Sequence, residues 1–321
     1  MKIVVTRIIP ERGLDILRAA FGEASVVVTP QEGPIARAEL LKVVRGADAL
    51  LPMLTDRIDA ELLDAAGSNL KIVANNAVGY DNINLEDART RGVAVTNTPG
   101  VLTETTADLA WTLMMAAARR AGEGERYLRG GKWTCWSPMM LLGMDIHGAT
   151  LGIYGMGRIG RAVARRARGF GMRVLYTDSA PLDEAEEAAL GAARTDMDTL
   201  LRESDFISAH CPLTPETRHA FGAAQFAAMK PTAVFVNTSR GPVVDEAALA
   251  AALQSGEIFA AGIDVFEEEP KVHPALLECE NAVLLPHLGS ASVETRARMA
   301  AMAAENIVAR LRGGEPPNRV A

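Results

Sequence analysis

Short runs of aliphatic and β-branched residues alternate with stretches of helical periodicity along nearly the whole chain. In the N-terminal third, strands are predicted at residues 3–6, 25–28, 49–52, 71–74 and 93–96, with helical patterns such as 13–20 and 35–44 between them. A helix after each strand returns the chain to the same end of the sheet, so the strands run parallel and the class is α/β.

A different segment follows. Residues 101–120 are helical in composition, and Leu109, Leu113, Met114 and Ala117 keep helical spacing. This segment is apolar over most of its circumference, which predicts burial between two domains rather than one wet face. Residues 121–149 read as irregular, with Gly122, Gly124, Gly130 and Gly131 beside Tyr127, Trp133 and Trp136. A second α/β series then begins, with strands predicted at 151–154, 173–177, 206–210, 233–237, 260–264 and 282–285. The helix at 245–254 is bounded by Asp245 at its N-cap and by Gly256 past its end. A last periodic helix at 293–311 precedes a tail that reads as loose from Gly313 onward.

A length of 321 residues exceeds one ordinary core and predicts two domains. The net charge of −7 argues against a general nucleic-acid binder, and it means that an anionic substrate must be drawn in by a local cation. Cys135, Cys211 and Cys279 lie far apart and show no paired metal-ligand spacing, so neither a disulfide nor a metal is expected and a reducing compartment fits. The N-terminus reads as a strand rather than a signal peptide, and the apolar region 109–118 is too short for a bilayer. The expectation is a soluble, cytoplasmic protein without a membrane partner.

Gly155, Gly157 and Gly160 form a GxGxxG pattern that follows the strand at 151–154 and opens a helix. In that setting Gly155 makes the tight turn, Gly157 admits a pyrophosphate to the backbone, and Gly160 lets helix pack on strand. The helix N-terminus, with Arg158 and Ile159, then faces the phosphates. Asp178 ends the next strand, where a carboxylate bonds the ribose hydroxyls and repels a 2′-phosphate. Ser179, Ala180 and Pro181 follow, then an acidic run, with no nearby Arg or Lys, so NAD(H) is expected over its 2′-phosphorylated form.

Three titratable residues sit at later strand ends: Arg240, Glu269 and His287. A guanidinium can clamp the carboxylate and carbonyl of a 2-keto acid with planar charge-assisted bonds. As a hydride reaches the carbonyl carbon, the oxygen needs a proton, which histidine supplies near neutral pH when a carboxylate orients it.

Together these residues resemble the D-isomer-specific 2-hydroxyacid dehydrogenases. The likeness runs through Val78-Gly79-Tyr80-Asp81-Asn82-Ile83, the stretch from Gly100 to Asp108, the glycine pattern, Asn237 to Gly241, Asp264-Val265-Phe266 with Glu269-Pro270, and Pro286-His287. The resemblance implies two Rossmann-like domains with the active site in their cleft: a substrate domain from 1–99 plus 292–321, and a nucleotide domain from 100–291. It implies that Arg240 clamps substrate, that His287 is the acid/base with Glu269 as partner, and that the N–H groups of Val78 and Gly79 bind the substrate carboxylate. It lines the cofactor with Thr106, Cys211, Pro212, Thr217, Thr238, Ser239, Asp264, His287 and Gly289, Cys211 serving as a small packing residue. Within the family the sequence is most similar to glyoxylate and hydroxypyruvate reductases, through Ala118 to Glu125, Trp136 before Pro138, and Leu285 to Ala291. That likeness implies a homodimer in which Trp136 reaches the partner's site, and NADH-dependent reduction of glyoxylate or hydroxypyruvate to glycolate or D-glycerate. A dehydrogenase for another D-2-hydroxy acid or for phosphite, and a non-catalytic NAD sensor, are the alternatives; a sensor has no need of the Arg240, Glu269 and His287 set.

Overall fold

Aliphatic residues at successive strand positions point to opposite faces, so a strand that is apolar throughout must be covered on both sides. This is how the N-terminal strands are used in the computed structural model, which describes residues 1–321. The chain forms two units, Met1–Leu102 with Ala291–Ala321, and Thr103–Ser290.

In the first unit the elements run β1 (Ile3–Val5), α1 (Glu11–Phe21), β2 (Val26–Val28), α2 (Arg37–Val43), β3 (Ala49–Leu51), α3 (Ala60–Ala66), β4 (Ile72–Ala74), α4 (Leu85–Thr90) and β5 (Ala94–Thr96), and the C-terminal helix Val293–Leu311 joins them. The five strands are parallel in the order β2-β1-β3-β4-β5. Ile3, Val5, Leu51, Ile72 and Ala74 pack towards Leu14, Leu17 and the C-terminal helix residues Ala300, Ala303, Ala304 and Ile307. Val4, Leu50, Val73 and Val95 pack on the other side with Leu40, Leu62 and Leu63. A Cβ at Gly13 would stand 2.8 Å from Cβ of Ala300, so only glycine lets α1 and the C-terminal helix approach this closely. The tail is not loose. Val95 N–H donates to the Ala321 carbonyl (2.9 Å), Val320 N–H returns to the Val95 carbonyl (2.8 Å), and buried Asn306 accepts from Asn318 N–H (3.1 Å). Val95 lies far away in sequence and Asn306 sits inside the C-terminal helix, which is why local composition misreads the segment.

The second unit continues with α5 (Thr103–Ala118), α6 (Ala121–Arg129), β6 (Thr150–Tyr154), α7 (Arg158–Ala167), β7 (Arg173–Thr177), α8 (Glu184–Leu190), β8 (Ala192–Arg194), α9 (Met197–Glu203), β9 (Phe206–Ala209), α10 (Ala223–Ala228), β10 (Val234–Asn237), α11 (Glu246–Ser255), β11 (Ala260–Ile263), α12 (Pro274–Leu277) and β12 (Ala282–Leu284). Its seven strands are parallel in the order β12-β11-β10-β9-β6-β7-β8. The order reverses at β6, and in a doubly wound sheet ligands bind beyond the carboxyl ends of the strands at that reversal. Strand β8 was not predicted: it has three residues, two of them exposed, and so carries almost no apolar signal.

Helix α5 packs inside this unit on α7, β10 and β11, where a Cβ at Gly262 would lie 2.8 Å from Cβ of Leu113. Helix α6 corrects the expectation of irregular chain after residue 120. Gly122 and Gly124 weaken it, but Arg120 pairs with Glu123 (2.8 Å), Arg129 pairs with Glu125, and Arg126 donates to the Glu280 carbonyl (2.8 Å). No helix is long and apolar enough to cross a membrane.

Candidate active site

The glycine turn follows directly from β6. Gly155 has φ +96°, and a Cβ there would lie 2.6 Å from the backbone nitrogen of Cys211. A Cβ at Gly160 would lie 2.2 Å from the Gly155 carbonyl oxygen, whereas Gly157 opens onto free space. The first helical turn of α7, beginning at Arg158 and Ile159, has no side-chain cap on its N–H groups. This cradle fits a pyrophosphate: backbone donors converge and no side chain obstructs the approach. Asp178 closes it. One carboxylate oxygen accepts from Met156 N–H (2.6 Å) and the other from Ala180 N–H (3.0 Å), which ties the end of β7 to the turn after β6.

The strand ends beyond β6 line up a second set. At the end of β9, His210 N–H bonds the Tyr154 carbonyl (2.8 Å) and its Nε2 meets Ser208 Oγ (2.8 Å). Burial pushes His210 down to about 3 and keeps it neutral. Cys211 is buried and its thiol is pushed up to about 12, chiefly by that burial, so it is no nucleophile. Thr217 Oγ1 donates to the Pro212 carbonyl (2.7 Å) and rounds off the loop. At the end of β10, Thr238 and Ser239 are buried; Ser239 bonds Asn237 Oδ1 through both N–H (3.0 Å) and Oγ (2.8 Å), and Thr238 Oγ1 has no partner.

Arg240 follows. Its carbonyl accepts from Asn237 Nδ2 (3.0 Å) and its Nη1 donates to the Ser239 carbonyl (2.8 Å), so the residue is held at both ends. A Cβ at Gly241 would overlap the Phe266 carbonyl carbon at 1.9 Å, which presses this loop against the one carrying Glu269.

His287 Nδ1 stands 2.8 Å from Glu269 Oε2, and Phe266 N–H donates to the other oxygen of Glu269 (3.1 Å). With Nδ1 engaged, Nε2 is the nitrogen left for chemistry. Burial would raise the Glu269 carboxyl, but the His287 hydrogen bond and charge, the Phe266 N–H and the charge of Arg240 together hold it below its ordinary value. His287 adopts φ +55°, with its N–H on the Asp264 carbonyl (2.9 Å). Asp264 accepts from the N–H groups of Leu288 (2.6 Å) and Gly289 (2.8 Å), and Thr106 Oγ1 donates to the Gly289 carbonyl (3.1 Å). Burial pushes Asp264 up to about 6 against those two donors and the charge of His287.

Within the second unit the structure therefore gathers the glycine turn, Asp178, the 210–217 loop, Thr238 to Arg240, Asp264, Glu269 and His287 along one edge of the sheet. Trp136 lies apart in the irregular segment after α6 and is 75% exposed. Val78 and Gly79 belong to the first unit, after β4. Their carbonyls are held by Asn97 Nδ2 (2.8 Å) and Asn75 Nδ2 (2.8 Å), so the polar groups this loop still offers a ligand are its N–H groups. No group of three or more His, Cys, Asp or Glu is arranged to hold a metal ion.

Two residues escaped the sequence reading. Arg194 Nη2 donates to the Asp178 carbonyl (3.1 Å), so a cation does stand beside Asp178, brought there by β8 rather than by the residues that follow it. Glu246, only 5% exposed, accepts from the N–H groups of Glu267 and of His273 (2.8 Å), while Glu267 Oε1 accepts from Glu246 N–H (2.9 Å). In sequence Glu246 is an ordinary first-turn acid; nothing local shows that it pins the loop of Glu269. Glu246→Ala leaves two part-buried donors without an acceptor and is expected to cost about 2–4 kcal/mol. The expected result is a lower denaturation midpoint at unchanged slope; an unmoved midpoint would show the loop to be held otherwise.

Residues 111–289 match the family described as D-isomer specific 2-hydroxyacid dehydrogenase, NAD binding domain. A glyoxylate reductase of Korarchaeum cryptofilum is 55% identical over 99% of this chain and 95% of its own. A crystal structure of a Thermus thermophilus protein superposes with TM-score 0.92 at 48% identity over all of both chains. An NADPH-dependent glyoxylate/hydroxypyruvate reductase from Sinorhizobium meliloti, solved with NADP and malonate, superposes with TM-score 0.82 at 34% identity over 100% of this chain and 96% of that one. The cradle, the strand-end set and these likenesses converge: the chain belongs to the D-isomer-specific 2-hydroxyacid dehydrogenases.

Proposed function

We propose that this protein reduces glyoxylate, and hydroxypyruvate beside it, to the corresponding 2-hydroxy acid with NADH. The observation that carries the reading is the His287–Glu269 pair at 2.8 Å, set on the same sheet edge as Arg240 and the glycine cradle in a chain so similar to glyoxylate reductases. Gly155, Gly157, Gly160 and the N–H groups at Arg158 and Ile159 would hold the pyrophosphate, Asp178 the adenosine ribose, and Asp264 the nicotinamide carboxamide. Thr106, Cys211, Pro212, Thr217, Thr238, Ser239 and Gly289 would line it. Bound there, NADH supplies a hydride to the carbonyl carbon.

The residues of the chain do the rest. Arg240 pairs with the substrate carboxylate and fixes the carbonyl. His287, protonated, gives its Nε2 proton to the carbonyl oxygen as charge develops there. In the reverse direction the neutral imidazole takes the hydroxyl proton. Glu269 orients the ring through its Nδ1.

The second copy of the chain belongs to this reading. Trp136 and Met139 are each 75% exposed, with Leu128, Trp133 and Leu142 exposed in the same segment. A cluster of large apolar side chains is costly in water and fits an isologous contact, in which Trp136 would reach the partner's substrate. Trp136→Ala is expected to weaken the dimer in sedimentation and to raise KM. A wild-type protein that sediments as a monomer at micromolar concentration would end the dimer reading.

The test of the activity is consumption of reduced nicotinamide with glyoxylate, hydroxypyruvate, pyruvate and a bulky 2-keto acid. Turnover of the first two with NADH is the expected result. Faster turnover of the bulky acid would move the protein to another branch of the family, and silence with all four in a protein that binds NADH would make it a sensor.

A further inference from the structure

Arg194 is the last residue of β8 and lies opposite Tyr176 in the parallel register. Its guanidinium bonds the backbone carbonyl of Asp178 (3.1 Å), and no carboxylate lies within ion-pair distance of it. Three acids at the start of the neighbouring helix are engaged elsewhere: Glu186 with Arg161 (3.0 Å), Glu187 with the Tyr176 hydroxyl (2.7 Å), and Asp183 with Glu186 N–H (2.7 Å). The carboxylate of Asp178 is likewise turned to Met156 and Ala180 N–H rather than to Arg194. An exposed guanidinium and a carboxylate thus stand side by side without neutralising each other, at the position where this fold receives the adenosine ribose.

We propose that Arg194 is a cofactor-specificity residue that opposes Asp178. Resting on the NADH reading above, the pair sets a graded preference rather than an absolute one. Asp178 accepts the two ribose hydroxyls and disfavours a 2′-phosphate; Arg194 offers that phosphate a charge-assisted partner, so the protein retains a weak capacity for NADPH. Arginine suits the role because its planar fork can meet two phosphate oxygens while one nitrogen keeps the Asp178 carbonyl.

The experiment is a double-mutant cycle on the full-length protein. Affinities and KM values for NADH and NADPH are measured for wild type, Arg194→Ala, Asp178→Ala and the double variant. Arg194→Ala is expected to weaken NADPH about tenfold or more while NADH moves less than about threefold, since a charge-assisted bond is made to the phosphate alone. Asp178→Ala is expected to strengthen NADPH by about tenfold, and most of that gain should vanish when Arg194 is also removed. Raising the salt concentration should weaken NADPH more than NADH in the wild type but not in Arg194→Ala. Equal losses for both cofactors on removing Arg194 would make it a prop for the Asp178 loop and overturn the proposal, as would an Asp178→Ala gain that is the same with and without Arg194. A wild-type protein that binds neither cofactor would instead refute the cofactor reading itself, and the proposal with it.

Discussion

His287→Asn is expected to lower the turnover of 2-keto acid reduction by about a hundred- to ten-thousand-fold, the range a positioned general acid contributes. Asparagine is the informative replacement because His287 sits at φ +55°, a conformation that asparagine tolerates better than alanine. The backbone bond from residue 287 to the Asp264 carbonyl (2.9 Å) and the neighbouring bonds from Leu288 and Gly289 to Asp264 can then persist. NADH affinity should therefore change little, and the loss should fall on kcat. Equal losses in turnover and cofactor binding would show His287 to be structural.

The pH profile adds a sign. The His287 hydrogen bond and charge help to hold Glu269 below the ordinary carboxylate range despite its burial. Glu269→Gln can still bond the ring but removes the carboxyl that titrates, so the acid limb set by that carboxyl, which lies below the ordinary carboxylate range, should disappear from the rate profile. An acid limb that persists in the variant would separate Glu269 from the proton transfer.

The sequence made these residues legible because each sits where local pattern and chemistry coincide. Gly155, Gly157 and Gly160 follow a strand and open a helix, and Arg240, Glu269 and His287 each lie in the loop that follows a strand announced by its aliphatic residues. What escaped depends on contacts distant in sequence. Glu246 becomes a pin only because the 267–273 loop folds over it, and Arg194 reaches Asp178 only because a three-residue strand pairs beside β7. The C-terminal tail failed for the same reason, since its partners Val95 and Asn306 belong to elements that composition treats separately. Helix α6 failed differently: its glycines are real penalties, offset by ion pairs that a hydrophobic pattern does not weigh.

Arg240→Ala is expected to lower kcat/KM by about two to four decades, because a substrate carboxylate loses its cation in a partly dehydrated site. The effect should divide between KM, through lost binding, and kcat, through lost alignment of the carbonyl with the hydride donor. Arg240→Lys should recover only part of the loss, because an ammonium keeps the charge but cannot make the two parallel bonds of a guanidinium. The variant also perturbs its neighbour in a definite direction. Arg240 is one of the charges that lower the Glu269 carboxyl, so without it that carboxyl rises towards its ordinary value and is protonated sooner as pH falls. The acid limb of the rate profile should therefore move to higher pH in Arg240→Ala and stay near its wild-type place in Arg240→Lys. NADH affinity should hold in both, since the surrounding chain is fixed by the bonds of Asn237 to Ser239 and to the Arg240 carbonyl, which the substitution leaves intact. A lysine variant with full kcat/KM would show that charge alone suffices, and an alanine variant with an unmoved acid limb would separate Arg240 from the Glu269–His287 pair.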